Sequence, residues 1–181
     1  MKPNITEFEQ DHWFFYTSTI LNFTHIFHKA EYRKIILESL NYLITNERIH
    51  LGAYVIMPNH IHLILKSRDK HKVENINRDF KKYTSQQILL TMKDKKDNLL
   101  KNFFVNKRDR KYQIWKREPN LQNIFSPKFL IQKFNYIHNN PCQPHWQLAE
   151  KPEEYKYSSA SFYLLNKEQN DIGLYDLRRL V

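Results

Sequence analysis

An α+β fold, with helices packed on one face of an antiparallel sheet, is the architecture this sequence predicts, and three observations carry it. The first is the stretch from Tyr54 to Leu65, YVIMPNHIHLIL. It reads as two apolar strands, Tyr54–Met57 and Ile61–Leu65, joined by a tight Pro58-Asn59 turn. Proline presets φ at the first central turn position, and asparagine tolerates the backbone angles that follow. The second is a pair of helix-spaced apolar patterns. One runs through Ile35, Ile36, Leu40, Leu43 and Ile44, the other through Ile76, Phe80, Tyr83, Ile88 and Leu89. The third is the order of elements: strand, helix, strand, strand, helix, strand. That order is the ferredoxin-like (RRM-like) arrangement.

Each element has its own justification along the chain. Residues 1–11 are a polar start. Trp13 to Ile20, WFFYTSTI, is rich in aromatic and β-branched side chains and predicts the first strand. The connector from Asn22 to Lys29 carries His25 and His28, candidate ligands without a partner motif. Ala30 to Asn46 is the first helix, and Ile49 to Leu65 supplies the hairpin. Val73 to Met92 is the second helix, with Arg78, Lys81 and Lys82 on its polar side. A further strand falls at Ile114–Trp115 or at Leu121–Phe125. Ser126 followed by Pro127 marks a helix start, with the serine as N-cap and the proline in the first turn. This helix runs to about Asn140 and stops at Pro141. The remainder, 142–181, is a polar and aromatic tail predicted to fold across the domain. The chain therefore reads as one domain over 1–181, with a core at 12–141 and a C-terminal extension at 142–181.

Composition narrows the function. The 181 residues include 29 Lys or Arg against 19 Asp or Glu, a formal charge of +10, which favours an anionic polymer or membrane surface as partner. No apolar run is long enough to cross a bilayer, and no signal-peptide pattern opens the chain. The single cysteine, Cys142, excludes an intramolecular disulfide framework and a cysteine zinc cluster. A reducing, cytoplasmic setting fits this usage. With only two glycines there is neither a dinucleotide fingerprint nor a phosphate loop.

Two constellations carry chemistry. Side chains alternate along a strand, so His60 and His62 share one face while Ile61 points to the other. Two imidazoles on one face are a ready pair of metal ligands, although such pairs also occur as structural residues. In the last helix, FNYIHNNP, Tyr136 and Asn140 are four residues apart and lie on one face. A metal would make a phosphodiester beside the tyrosine electrophilic, and an amide oxygen suits Mg²⁺ or Mn²⁺. On the spacing alone, a core tyrosine with a hydrogen-bonded hydroxyl is the plainer account. Between the constellations, Lys93 to Arg117 holds ten Lys or Arg against three Asp, interleaved with Phe103, Phe104, Tyr112 and Trp115. Aromatics among cations are what a single-strand nucleic-acid groove uses, and a solvated loop is the plainer alternative.

MPNHIHLIL, followed some seventy residues later by YIHNNP and then by PEEYKYSSASFYL (Pro152–Leu164), resembles the signature of the REP-associated tyrosine transposases. These are a branch of the single-tyrosine HUH transposases, and the resemblance spans roughly Trp13 to Leu165. It implies a ferredoxin-like fold and metal-dependent cleavage and rejoining of single-stranded, hairpin-containing DNA through a covalent 5′-phosphotyrosine. By this resemblance Tyr136 is the nucleophile, His60 and His62 are the metal dyad, and Asn140 is a third ligand to Mg²⁺ or Mn²⁺. Lys107, Arg108, Arg110, Lys111, Lys116 and Arg117 are the expected DNA contacts. Where family members often carry valine and small residues after the NP, this chain has Cys142-Gln143-Pro144. A relaxase or replication-initiator nickase shares the chemistry, and a non-catalytic single-strand binder shares the sheet. The latter's K/R-G-F/Y-G/A-F motif is absent. Whether an active site forms within one chain or in a homodimer is left open by the sequence.

Overall fold

A computed structural model describes residues 13–68, 71–117, 120–167 and 172–180; the polar start at 1–11 lies outside the described residues. The elements are β1 (Trp13–Thr19), α1 (Ala30–Thr45), β2 (Ile49–Met57), β3 (His60–Ser67), α2 (Val73–Asp94), β4 (Phe104–Lys107), β5 (Arg110–Tyr112), β6 (Asn120–Ile124), α3 (Pro127–Asn139) and α4 (Ala160–Leu165). The main sheet has the order β2-β3-β1-β6 with every neighbouring pair antiparallel, which is the ferredoxin-like topology. Of the two sites for the outer strand, Leu121–Phe125 becomes β6, while Trp115 makes one isolated bridge to Ile20. Within the charged stretch, residues 104–112 form the small, separate β4–β5 hairpin.

The period-two pattern of the strands divides the core into two layers. Tyr16, Ile61, Leu63 and Leu65 point to one face and pack with Ile36, Leu40, Phe80 and Ile88 of α1 and α2. Burying each of these aliphatic side chains contributes roughly 1.5–3 kcal/mol. Trp13, Phe15, Val55 and Ile64 point the other way and pack with Leu130 and Ile137 of α3. The two connecting helices thus cover one face, as expected. The tyrosine-bearing helix covers the opposite face, to which His60 and His62 also belong by alternation.

Helix α3 begins as its sequence dictates. Ser126 Oγ accepts a hydrogen bond from the Phe129 amide at 3.2 Å, and Pro127 occupies the first turn. The helix is anchored through His138, whose Nε2 lies 2.8 Å from Ser159 Oγ; that hydroxyl also accepts from the Tyr54 amide at 3.0 Å. The Ser158-Ser159 segment therefore ties α3 to β2. It also closes the outer edge of β2, since the Ile56 and Ser159 amides pair with the Tyr157 and Tyr54 carbonyls. An uncovered edge strand would invite pairing with another chain.

Burial lowers the His138 pKa from 6.5 to about 4. As pH falls below 6.5 the unfolded chain binds a proton at this imidazole, while the folded chain resists it down to about 4. Stability is therefore lost across that window, by up to about 3 kcal/mol. His138→Gln is expected to flatten this part of the acid limb in urea melts run between pH 7 and 4.

At Gly52 a register shift in the β2–β3 ladder brings the backbone against the C-terminal turn. A Cβ there would sit 2.5 to 2.8 Å from three side-chain carbons of Leu177, which is buried. Gly52→Ala is expected to cost about 1–3 kcal/mol in thermal melts. Leu177→Ala in the same chain should recover part of that loss relative to the sum of the single changes.

Candidate active site

The hairpin turn delivers His60 and His62 to the α3 side of the sheet, with their rings 4.7 Å apart between centroids. From the other side of the same cleft come Tyr136 on α3 and Asn140 in the 3₁₀ turn that continues it. Asn140 keeps helical backbone angles (φ −56°, ψ −46°), so it remains one turn beyond Tyr136 on the same side of the helix. The Tyr136 ring lies 5.1 Å from His62 and 5.9 Å from Phe15, edge-on to both, and the residue is 50% exposed. The Tyr136 hydroxyl is thus carried on a packed ring at an open surface.

Each imidazole is oriented from behind. His62 Nδ1 lies 2.7 Å from Thr17 Oγ1, directly across the β1–β3 ladder, and Phe15 stacks on the ring at 5.4 Å. Its Nε2 is buried without a hydrogen-bond partner. For His60 the tautomer follows from the network. Asn59 Nδ2 donates to the Phe23 carbonyl at 3.1 Å, so Oδ1 is the amide atom facing His60 Nδ1 at 2.6 Å. That oxygen can only accept, so Nδ1 carries the proton and the Nε2 lone pair is free. Burial, then His145 and His25, lowers the His60 pKa to about 4, and burial, then His60 and Lys133, holds His62 well below 6.5. Both rings are neutral at pH 7, the form that binds a metal. Neutral rings with engaged Nδ1 atoms and bare Nε2 atoms could hold a divalent cation, and Thr17 and Asn59 would then orient them from behind.

Among the described residues no group of three or more His, Cys, Asp or Glu side chains could hold a metal. A cation at this dyad would therefore complete its shell with neutral oxygen, from the Asn140 amide or water, and with anionic oxygen from a substrate. Among the described residues, none that lines the cleft is a carboxylate. Positive charge lies close by: Lys133, three residues before Tyr136, holds Nζ 4.5 Å from the Phe15 ring centroid and 5.9 Å from that of Tyr136.

The predicted DNA contacts are dispersed. Lys107, Arg108 and Lys111 are exposed on or beside the β4–β5 hairpin, where Arg110 pairs with Asp109. Arg110, Lys116 and Arg117 line a second, polar groove with Lys81 and Lys82 of α2. Lys81 holds that groove in place, donating to the Lys116 and Arg117 carbonyls, and burial lowers its pKa to about 8. Lys116 also reaches to the ring of Phe23, at the edge of the histidine cleft. His25 packs against His28 and Trp146 near the same cleft. Thr17, Asn59, Lys133 and Trp146 were not singled out as site residues by their sequence patterns. For Asn59 the turn position itself was the available signal, since it immediately precedes His60.

The site thus sets a histidine pair of the four-stranded sheet against a tyrosine on the covering helix. The family model described as "Transposase IS200 like" matches residues 22–114, more than half of the 181 residues. The chain belongs to the IS200-like transposase family. The matched segment includes His60 and His62 and ends before Tyr136. Among solved structures, the chain is similar to a REP-associated tyrosine transposase bound to a REP hairpin, at 14% identity and a TM-score of 0.65, over 92% of this chain and 87% of the other. That likeness shows the shared fold. A transposase structure from Deinococcus radiodurans matches at 16% identity and a TM-score of 0.48, over 71% of this chain and 90% of the other. No curated protein matched. No helix among the described residues is long and apolar enough to cross a membrane.

Proposed function

We propose that this IS200-like transposase is of the REP-associated type. In this reading it cleaves and rejoins single-stranded, hairpin-containing DNA by tyrosine transesterification, with residues 12–141 as the catalytic core and 142–181 as an extension bracing it. The observation that carries the reading is the meeting of the Tyr136 ring with His62 in one cleft, with the His62 Nε2 buried and unpartnered. A buried imidazole nitrogen without a protein partner, beside a half-exposed phenol, is a donor that a cation would engage.

His60, His62 and Asn140 would hold Mg²⁺ or Mn²⁺, which when bound would draw electron density from the scissile phosphate. The Tyr136 hydroxyl oxygen attacks phosphorus in line, forming the Tyr136 O–P bond as the P–O3′ bond breaks. The phenolic proton leaves to solvent, and the departing oxygen gains a proton to become a free 3′-hydroxyl. A 3′-hydroxyl from another strand reverses the exchange, so no nucleotide hydrolysis is needed, in keeping with the missing phosphate loop. Lys133 stands where it offsets the charge of the phosphate.

The test is incubation with a panel of single-stranded hairpin DNAs and Mn²⁺ or Mg²⁺, followed by denaturing electrophoresis. A covalent protein–DNA adduct that requires metal supports the reading, and a protein that binds these DNAs without ever forming one refutes it. A relaxase-type nickase would give the same adduct, and strand rejoining to a second 3′-end separates transposition from nicking alone.

Lys107, Arg108, Arg110, Lys111, Lys116 and Arg117 supply phosphate contacts. Reversing charge at Lys107, Arg108, Arg110 and Lys111 is expected to weaken binding to all sequences and to make its salt dependence shallower. Each lost contact on single-stranded DNA takes roughly 0.7 from the slope of log K against log salt. Filter binding across a salt series reads both effects, and an unchanged slope would make the hairpin a solvated loop.

A further inference from the structure

We propose that Phe23 is a stacking platform for an unpaired nucleobase flanking the scissile phosphate, and that it is what makes the cleft select single strands. This rests on the reading that the histidine–tyrosine cleft handles DNA. An exposed phenylalanine is ordinary by itself; four features of this one are not. The residue is 58% exposed, and its ring lines the cleft that holds His60, His62 and Tyr136. Its φ is +53° and that of Asn22 is +55°, two successive left-handed residues without a glycine. Asparagine visits that region readily, whereas a bulky phenylalanine there is strained and must be held.

The hold is visible in named bonds. The Phe23 amide donates to the Ile20 carbonyl at 3.0 Å, its carbonyl accepts from Asn59 Nδ2 at 3.1 Å, and Asn22 Nδ2 donates to the Asn102 carbonyl at 3.3 Å. Asn59 is the residue whose Oδ1 orients His60, so one amide side chain joins the exposed ring to the metal dyad. Lys116 then places its ammonium 3.4 Å from the ring centroid. A cation on an aromatic face fixes the ring and stands ready for a phosphate. Trp146 and the exposed amide of Gln143 border the same cleft.

A strained aromatic held in solvent, backed by a cation and tied to the dyad, is suited to a flat, anion-bearing ligand, and a splayed nucleotide has that form. Bases inside a duplex have both faces covered by their neighbours, so an interior pair cannot stack here, whereas an unpaired nucleotide can. Stacking on such a ring tolerates any base. Phe23 therefore positions the strand, and the identity of the base is read elsewhere.

The experiment uses the full chain, Mn²⁺ and hairpin oligonucleotides with single-stranded flanks, in which an abasic nucleotide is walked through the flank. With wild type the adduct rate is expected to fall roughly tenfold when the abasic site adjoins the cut. Phe23→Leu should show a similar fall on intact DNA and little further response to the abasic site, while Phe23→Tyr should restore the wild-type pattern. In wild type, 2-aminopurine at the same position should be quenched on binding. An abasic penalty that persists in Phe23→Leu, or an absence of quenching, overturns the proposal and leaves the transposase reading standing. If wild type forms no adduct with any of these DNAs, the functional reading fails and takes this one with it.

Discussion

Tyr136→Phe is expected to abolish the covalent protein–DNA adduct while leaving the fold and the DNA affinity nearly unchanged. The ring is held by edge-on contacts to His62 and Phe15, and the substitution preserves both. Edge-to-face pairs contribute roughly 0.5–1.5 kcal/mol each beyond their buried area, and none of that is lost with the hydroxyl. A half-exposed hydroxyl exchanges its interactions with water, so its removal should move the melting midpoint little. The chemistry has no substitute for that oxygen, and adduct on denaturing gels should fall below detection. Tyr83, Tyr112 and Tyr157 serve as controls because none of them lines the cleft. Tyr83 is exposed on α2, Tyr112 packs against Phe104, and Tyr157 lies under the Arg33 guanidinium. An adduct that survives in Tyr136→Phe and vanishes in one of these three would reassign the nucleophile and leave the histidine dyad in place.

What was legible in the sequence was local. The hairpin could be read because a turn and two alternating strands occupy a dozen residues, and alternation alone set His60 and His62 on one face. Helix α3 could be read from its serine cap, its proline and the terminal Asn-Pro. What the sequence could not show depends on pairing across long separations. Thr17 meets His62 only because β1 lies beside β3 in one register, and 45 positions separate the two residues. A shift of one residue would have turned the hydroxyl to the other face. Tyr136 meets His62 because α3 crosses the face opposite to α1 and α2, and its own amphipathic pattern is the same whichever face it covers. Ser159 acts through a buried histidine that periodicity marks only as a helix position. The PEEYKYSSASFYL resemblance flagged that segment without its role, which is to brace the tyrosine helix against β2. The positive φ of Phe23 leaves no trace in composition, since a phenylalanine is among the last residues expected there.

His62→Leu is expected to abolish adduct formation and, at the same time, to make the metal-free protein at least as stable as wild type. His62 is only 4% exposed, and its Nε2 is buried with no hydrogen-bond partner. Leaving such an atom unpaired costs about 1–3 kcal/mol, a penalty that leucine, of similar volume and packed against the same Phe15 ring, does not carry. Lost contact with Thr17 Oγ1 works in the other direction, because that hydroxyl is then left without its imidazole partner. Thr17→Val in the leucine background should remove this second penalty. With Mn²⁺ present the order is expected to reverse. A cation held at a hundred times its Kd stabilises the folded state by about 2.7 kcal/mol. For a chain of this length that raises the wild-type Tm by roughly 5–10 °C. His62→Leu should show no such rise, and calorimetric melts with and without the ion, at a pH where both histidines are neutral, read the two effects separately. A wild-type Tm indifferent to Mn²⁺ and Mg²⁺ would refute the dyad as a cation site. A His62→Leu protein that is destabilised by several kcal/mol without metal would instead make this imidazole a structural member of the core, and the unpartnered nitrogen would then need another explanation than a ligand.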